Sequence, residues 1–402
     1  MVAPRPRITD AQRRSRLARR TRLAPDSRAA GVVEAARSMV GLHSTTPSTV
    51  YLSAWARVDG FTRDDLDAAL YVDRTLVKHL AMRRTLFAFP RDVLAEAIGA
   101  LGPRVSASER RNMLRDLRRS PDVDDPEAWI DTAREAVLAE LAGGESLTST
   151  ELRERLPALS GSITFGEGRS WGGTSHFGPR VLNMLDASGE IVRGPNRMDW
   201  HLSRPAWTSM KVWLGETLEV PDVHAGHRAL IERWLRTFGP GTETDLVWWL
   251  GSTKTAVRAA LADLGTVEVE LQSGGVGHVL PDDLPGDSDD DAPVEPHAVL
   301  LPELDPTIMG YKERAFYLGD HAPRVFDTVG NAGQTAWWDG RIVGGWYRRD
   351  DGSIAVHPLE TLSRAARRAL AARADELAEW LGGVGFKTQY SAPYMKEVGE
   401  RR

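Results

Sequence analysis

The chain has 402 residues, a formal net charge of −5 and no cysteine. A length of this order normally divides into two or three compact units of roughly 100–150 residues. The missing cysteines exclude a disulfide framework, a thiolate zinc site and a cysteine nucleophile, and are most simply matched by a cytoplasmic setting; no stretch reaches the roughly 18 continuous apolar residues of a bilayer-spanning helix, and no signal-peptide core is visible, so no membrane association is expected.

In chain order, arginines come first. Arg13, Arg14, Arg16, Arg19, Arg20 and Arg22 crowd one segment, Arg110, Arg111, Arg115, Arg118 and Arg119 crowd another, and acids gather around Asp282–Asp291. A polyanion feels the local field and not the average, so the small negative net charge does not exclude phosphate binding; a GC-rich genome produces the same arginine bias. Asp26 is placed to cap a helix whose apolar positions Ala29, Val32, Val33, Ala36, Met39 and Val40 recur at helical spacing, stopping near Gly41. Thr46-Pro47 then supplies a cap and a first-turn proline for a helix that buries Val50, Tyr51, Ala54, Trp55 and Val58. Another helix begins after Thr62, and LFAFP at 86–90 reads as a short strand. Helices followed by a strand is the order of a winged helix. This first unit ends near Asp122–Pro126.

A second unit holds a helix over Glu127–Leu141, a Thr148-capped helix TSTELRERL, and FGPRVLNMLDASGEIVRG, a helix closed by a turn and a strand. Arg180, Asn183 and Arg193 of that pattern can face a groove, although such patterns serve packing as often. A third unit opens with HAGHRALIERWLRTFG, adds TETDLVWWLG and STKTAVRAALADLG, then a strand TVEVELQ and a glycine wing at Gly274-Gly275. The HAGH pair at 224–227 lacks a third metal ligand and reads as surface. PDDLPGDSDDDAPVEP reads as a solvated loop or linker. An amphipathic helix from about Leu359 to Leu381 docks Leu362, Leu370, Leu377 and Leu381 on a core. The fold class expected is mainly α with small β-hairpins (α+β): tandem winged-helix modules at 1–122, 127–222 and 223–402, the last with a β-rich segment and the C-terminal helix.

Between Val299 and Arg348 a strand, LLPELDPTIMGYKER, leads to a hairpin, TAWWDGRIVGGWYRR. Asp339-Gly340 is a two-residue turn that demands positive φ, so Ala336, Trp338, Ile342 and Gly344 fall on alternating faces and Arg341 projects from the tip. Such a tip either enters a DNA groove or is merely solvated.

LLPELDPTIMGYKER with WWDGRIVGGWYRR, FGPGTETDLVWWLG at 238–251, VKHLAMRRTLFAFP at 77–90 and MVGLHSTTPSTVYLSAWARV at 39–58 together resemble, in order and separation, the winged-helix DNA glycosylases of the AlkZ type. The resemblance implies an enzyme that excises bulky N7-alkylated purines from double-stranded DNA, with crosslink unhooking or self-resistance to a genotoxin as related roles. It implies work at a bacterial nucleoid, no cofactor and no metal, since the reaction needs only a positioned water, and a monomer, since tandem modules wrap a duplex unaided.

In that family a Gln-apolar-Gln triplet binds the attacking water, and here the triplet aligns with His43-Ser44-Thr45. An imidazole can move a proton as well as hydrogen-bond, so His43 is expected to act as general base while Thr45 holds the water. Ser44 packs or caps the loop. A histidine at a helix C-terminus also satisfies terminal carbonyls, and Thr45 and Thr46 also suit caps. A further departure is Phe87, where the resemblance leads one to expect a histidine. Downstream, Asp305 is expected to stabilise positive charge on the sugar and Arg314 to hold that carboxylate or a phosphate, or the two form a structural pair. Trp338, Arg341, Trp346 and Arg348, with Trp337, are the other candidate DNA contacts, by stacking or by phosphate, although hairpin tryptophans are commonly core. The alternative to an enzyme is a non-catalytic winged-helix DNA-binding protein.

Overall fold

The N-terminal residues do not fold with the sequence that follows them. A computed structural model describes residues 5–120, 123–166, 169 and 172–399, and the chain packs as two units, one built from the residues up to Asp67 together with Arg228–Arg402, the other from Ala68–His227. The consecutive modules 1–122, 127–222 and 223–402 therefore do not coincide with the way the chain packs; the boundary residue Asp122 itself lies outside the described residues.

The discontinuous unit is closed by backbone and charge. Arg7–Ile8 adds in parallel to the strand Val267–Leu271, which pairs antiparallel with Val276–Val279 around the glycine wing. The helix Asp10–Arg20 follows, opened by a reciprocal capping box between Thr9 and Gln12. Its arginines face protein. Arg16 donates to Asp291 at 2.5 Å and to Asp283 at 3.2 Å, Arg20 donates to Asp283 and Asp290 at 2.6 and 2.7 Å, and Arg19 donates to the carbonyls of Asp290, Ala292 and Pro293. Arg13 lies 3.7 Å over the Phe316 ring. The acidic stretch is thus not a solvated linker. Arg16 and Arg20 are neutralised by Asp283, Asp290 and Asp291, because each gains charge-assisted bonds that water cannot hold in one geometry.

Asp26 does not cap a long helix. It sits in a single turn at Pro25–Ser27 and pairs with Arg19, and the helix begins only at Val32 after Gly31. The intervening Ala29 gives its N–H to the Arg57 carbonyl, which holds the chain extended there. The helix Pro47–Trp55 begins as its Thr-Pro sequence requires, with Thr46 as N-cap residue and Pro47 in the first turn. The region 298–358 is a four-stranded antiparallel sheet, Ala298–Leu301, Thr335–Trp338, Arg341–Arg348 and Ile354–Pro358 in that order. The helix Arg364–Leu381 covers it with Ala366, Leu370, Ala374, Leu377 and Leu381, a 3.6-residue apolar stripe.

The continuous unit begins with the hairpin Leu76–Leu80/Leu86–Pro90, which includes the expected LFAFP strand. Helices Arg91–Leu117, Pro126–Leu141, Ser149–Arg155 and Gly178–Ala187 follow, around a core of Met113, Ile130, Val137, Leu152, Phe177 and Leu182. Here the sequence candidates for groove contact are internal: Arg180 donates to Asp116, and Arg193 donates to Asn183 and Asp186. His227 is also not surface; it is 5% exposed, with Nδ1 at 2.7 Å from the Val223 carbonyl. Among the described residues no helix is long and apolar enough to cross a membrane.

Candidate functional site

The helix Pro47–Trp55 is buried on every side, yet one line of it is polar. Thr46, Thr49, Ser53 and Arg57 stand three, four and four residues apart, which stacks them along one face. All four are buried, so each needs a partner. Thr46 gives its hydroxyl to Gln389 Oε1 at 3.3 Å, and the other three find partners in the segment Glu303–Thr307. Thr49 gives its hydroxyl to the Glu303 carbonyl at 3.0 Å and Ser53 gives its own to Asp305 Oδ2 at 2.6 Å. Arg57 clasps Asp305 in a fork, Nη1 to Oδ2 at 2.8 Å and Nη2 to Oδ1 at 2.7 Å, and spends its remaining N–H groups on the Thr21 carbonyl, the Ser53 carbonyl and the Thr307 hydroxyl.

Asp305 also caps the short helix Pro306–Met309, accepting from Thr307 N at 2.9 Å. Its four acceptor positions are then filled by protein donors, and the residue is 0% exposed. Burial pushes its carboxyl up, but the Arg57 charge and the bonds from Arg57, Ser53 and Thr307 outweigh it and hold the group below the usual carboxylate range. This carboxylate fixes the frame and keeps no lone pair for a sugar. Its arginine partner is Arg57; Arg314 instead lies over the rings of Phe326 and Trp248, at 4.2 and 4.9 Å, and donates to the Ile308 carbonyl.

At the other end of the same helix lies the loop His43-Ser44-Thr45-Thr46. Two non-glycine residues with positive φ flank the arrangement, Val40 at 63° just before the loop and Leu304 at 58° between Glu303 and Asp305. Side chains rarely adopt that region, and a β-branched one least of all, so the surrounding packing must enforce the turns. His43 is 4% exposed and Thr45 N lies 3.4 Å from its Nδ1, in a hydrogen bond that Thr45 donates. Ser44 Oγ is buried without a hydrogen-bond partner. Thr45 is half-buried.

Glu303 completes the loop's surroundings and was not singled out by sequence reasoning. Its carboxylate is 3% exposed and accepts the backbone N–H groups of Gln389 and Tyr390 at 3.1 and 2.7 Å. Burial raises its pKa above the usual carboxylate range, although those two N–H groups pull it the other way. Burial, with the charges of Glu303 and Asp327, raises the Tyr390 phenol as well. The polar stripe 46/49/53/57 is the signal that would have pointed to this segment; nothing in the local sequence marks Gln389 or Tyr390.

The hairpin at 335–348 does not project. Its turn is as expected, with φ of 51° at Asp339 and 71° at Gly340, but both strands lie inside the four-stranded sheet. Trp346 is 1% exposed and donates its Nε1 to the Leu301 carbonyl at 2.8 Å, so it is core. Trp337 is buried, Trp338 half-buried. Arg348 donates to the Gly383 carbonyl, and the exposed Arg341 at the turn reaches Glu360 at 3.3 Å. The hairpin was expected to project its tip; it is held instead between two outer strands, one separated from it by a long segment and the other by a second turn. Asp305 and the His43 loop thus meet through one helix and the Glu303 segment, and the tryptophans belong to the sheet.

A sequence profile of the family described as DNA glycosylase AlkZ-like matches residues 36–380. No curated protein matches the chain. Among solved structures, Streptomyces sahachiroi DNA glycosylase AlkZ is similar in fold, with a TM-score of 0.74 at 21% sequence identity, over 94% of this chain and 97% of that one.

Proposed function

The chain belongs to the AlkZ-like DNA glycosylase family, and we propose that it hydrolyses the N-glycosidic bond of bulky N7-alkylated purines with a water held by His43 and Thr45. Its class is given by the family: a hydrolase of N-glycosyl bonds whose substrate is DNA. The observation that carries the finer reading is the contact between Thr45 N and His43 Nδ1. An Nδ1 that accepts leaves the proton of the neutral ring on Nε2.

In that tautomer His43 holds the water by donating to one lone pair, and the Thr45 hydroxyl accepts one of the water's protons, which leaves the other lone pair for C1′. This changes the expectation of a general base. An N7-alkylpurine is a cationic leaving group, and its departure yields an oxocarbenium-like sugar, so the main demands are orientation and a fixed polar environment. The purine leaves as the neutral base with the glycosidic electron pair, and after addition the protonated C1′ hydroxyl gives up its extra proton along the hydrogen bond to Thr45 and on to bulk water. The Arg57–Asp305 frame serves the step indirectly by fixing the helix from which the loop extends. Bulky adducts, including crosslinked nucleotides and genotoxin adducts, fit the same chemistry, because it asks nothing of the alkyl group beyond the N7 charge.

The test is single-turnover release of N7-alkylguanine from a modified duplex. Wild type is expected to release it, and His43→Ala to slow release by about two orders of magnitude with duplex affinity retained. Equal release by both proteins overturns the role of His43. No release by either, over several N7 adducts with intact binding, favours a protein that holds DNA without cleaving it.

A further inference from the structure

The C-terminal segment after Leu381 lies beyond the stretch that matches the family profile, which stops at 380. It nevertheless reaches the loop read above as the water site. It is also firmly held. Tyr394 is 0% exposed and donates its hydroxyl to the carbonyls of Gln334 and Trp346, both at 2.9 Å, and Gln334 Nε2 donates to Thr388 Oγ1 at 2.7 Å.

Between these anchors stands Gln389. Its backbone N–H is taken by the buried Glu303, and its side-chain Oε1 accepts the Thr46 hydroxyl at 3.3 Å. The residue is exposed all the same, and its Nε2 has no protein partner among the described residues. A long polar side chain on a surface normally keeps its rotamer freedom, and fixing it is costly unless the fixed form has a use. Here the fixed form holds the amide on Thr46, the residue that follows Thr45 in the loop.

We propose that Gln389 is a further substrate-contacting residue, its Nε2 donating a hydrogen bond to an acceptor atom of the DNA beside the nucleotide held at His43 and Thr45. The proposal rests on the reading of that loop as the site. An amide at this place gives a directional donor without adding charge, and it arrives from a segment far away in sequence, so the C-terminal strap becomes one wall of the site.

Two variants separate this role from a structural one. Gln389→Glu keeps the length and the oxygen that Thr46 needs but exchanges the donor for an anionic acceptor that faces a polyanion; Gln389→Ala removes both. If Gln389 contacts DNA, both variants lose about tenfold or more in single-turnover release, with Gln389→Glu at least as impaired as Gln389→Ala and thermal stability unchanged. If the residue only braces Thr46, Gln389→Glu stays near wild type, and the proposal is overturned. Should wild type release no base from any N7-alkylated duplex, the loop reading has failed and duplex affinity decides the contact. Weakened binding by Gln389→Glu then supports it, and unchanged binding overturns it.

Discussion

Arg57 and Asp305 show how a buried charge is tolerated: every N–H of the guanidinium and every acceptor position of the carboxylate is occupied. Removing one partner leaves the other charged and buried, so Arg57→Leu is expected to cost about 3–5 kcal/mol, measured by urea denaturation, whereas Arg57→Leu with Asp305→Leu recovers most of the loss. A second buried group makes a pH prediction. His79 is 0% exposed, neither ring nitrogen has a hydrogen-bond partner, and Asp186 lies 3.5 Å from Nδ1 without bonding geometry. Burial, reinforced by Arg193, lowers its pKa to about 3. A folded value below the ordinary one means that the unfolded chain takes up the proton first. The His79 contribution is therefore complete above about pH 6.5 and is lost toward pH 3, at up to about 1.4 kcal/mol per pH unit. His79→Leu should flatten that part of the stability profile between pH 7 and 5; an unchanged slope would show that the ring titrates normally. The sequence gives no hint of this, since His79 on an alternating strand reads as any half-exposed residue. Its cross-strand partner is Phe87, where the resemblance led one to expect a histidine.

At the level of elements, the helix starts that carry their own chemistry were legible. Thr148 with Glu151 and Thr242 with Asp245 mark helix N-termini whose caps depend on residues three positions apart, and Pro47 marks a first turn, although Thr46 gives its hydroxyl to Gln389 and not to its own helix. Elements defined by distant partners were not. Nothing near Tyr394 says that its ring will lie over the backbone of Gly345, but a Cβ at Gly345 would stand 2.0 Å from that ring. Gly345→Ala is accordingly expected to expel the strap. Hydrogen exchange over residues 387–396 should accelerate, with an overall loss of about 1–3 kcal/mol, and release of N7-alkylguanine should fall as Gln389 leaves the loop. Exchange in the strap that matches wild type would mean that the sheet, and not the strap, had yielded.

For the whole chain, charge patterning was readable as segregation but not as pairing. Arg16 and Arg20 pair with Asp283, Asp290 and Asp291, which lie 263 to 275 residues away, so these charges are spent within the fold and DNA affinity must draw on other cations. The helix Arg91–Leu117 carries cations that are expected to serve. Arg104, Arg111, Arg115 and Arg118 fall at helical intervals of seven, four and three, and Arg104, Arg111, Arg118 and Arg119 are exposed without an ion pair among the described residues. Arg115 is partly satisfied by Asp116. An arginine that meets phosphate releases condensed counterions, and each lost contact lowers the slope of log affinity against log salt by about 0.9. Arg111→Gln with Arg118→Gln is thus expected to reduce that slope by up to about 1.8 and weaken duplex binding at low salt, without altering the unfolding midpoint. Substituting Arg16 should do the reverse, destabilising the fold by breaking its bonds to Asp283 and Asp291 while leaving the salt slope of the folded fraction in place. Identical slopes for wild type and the Arg111/Arg118 variant would remove this helix from the DNA-binding surface.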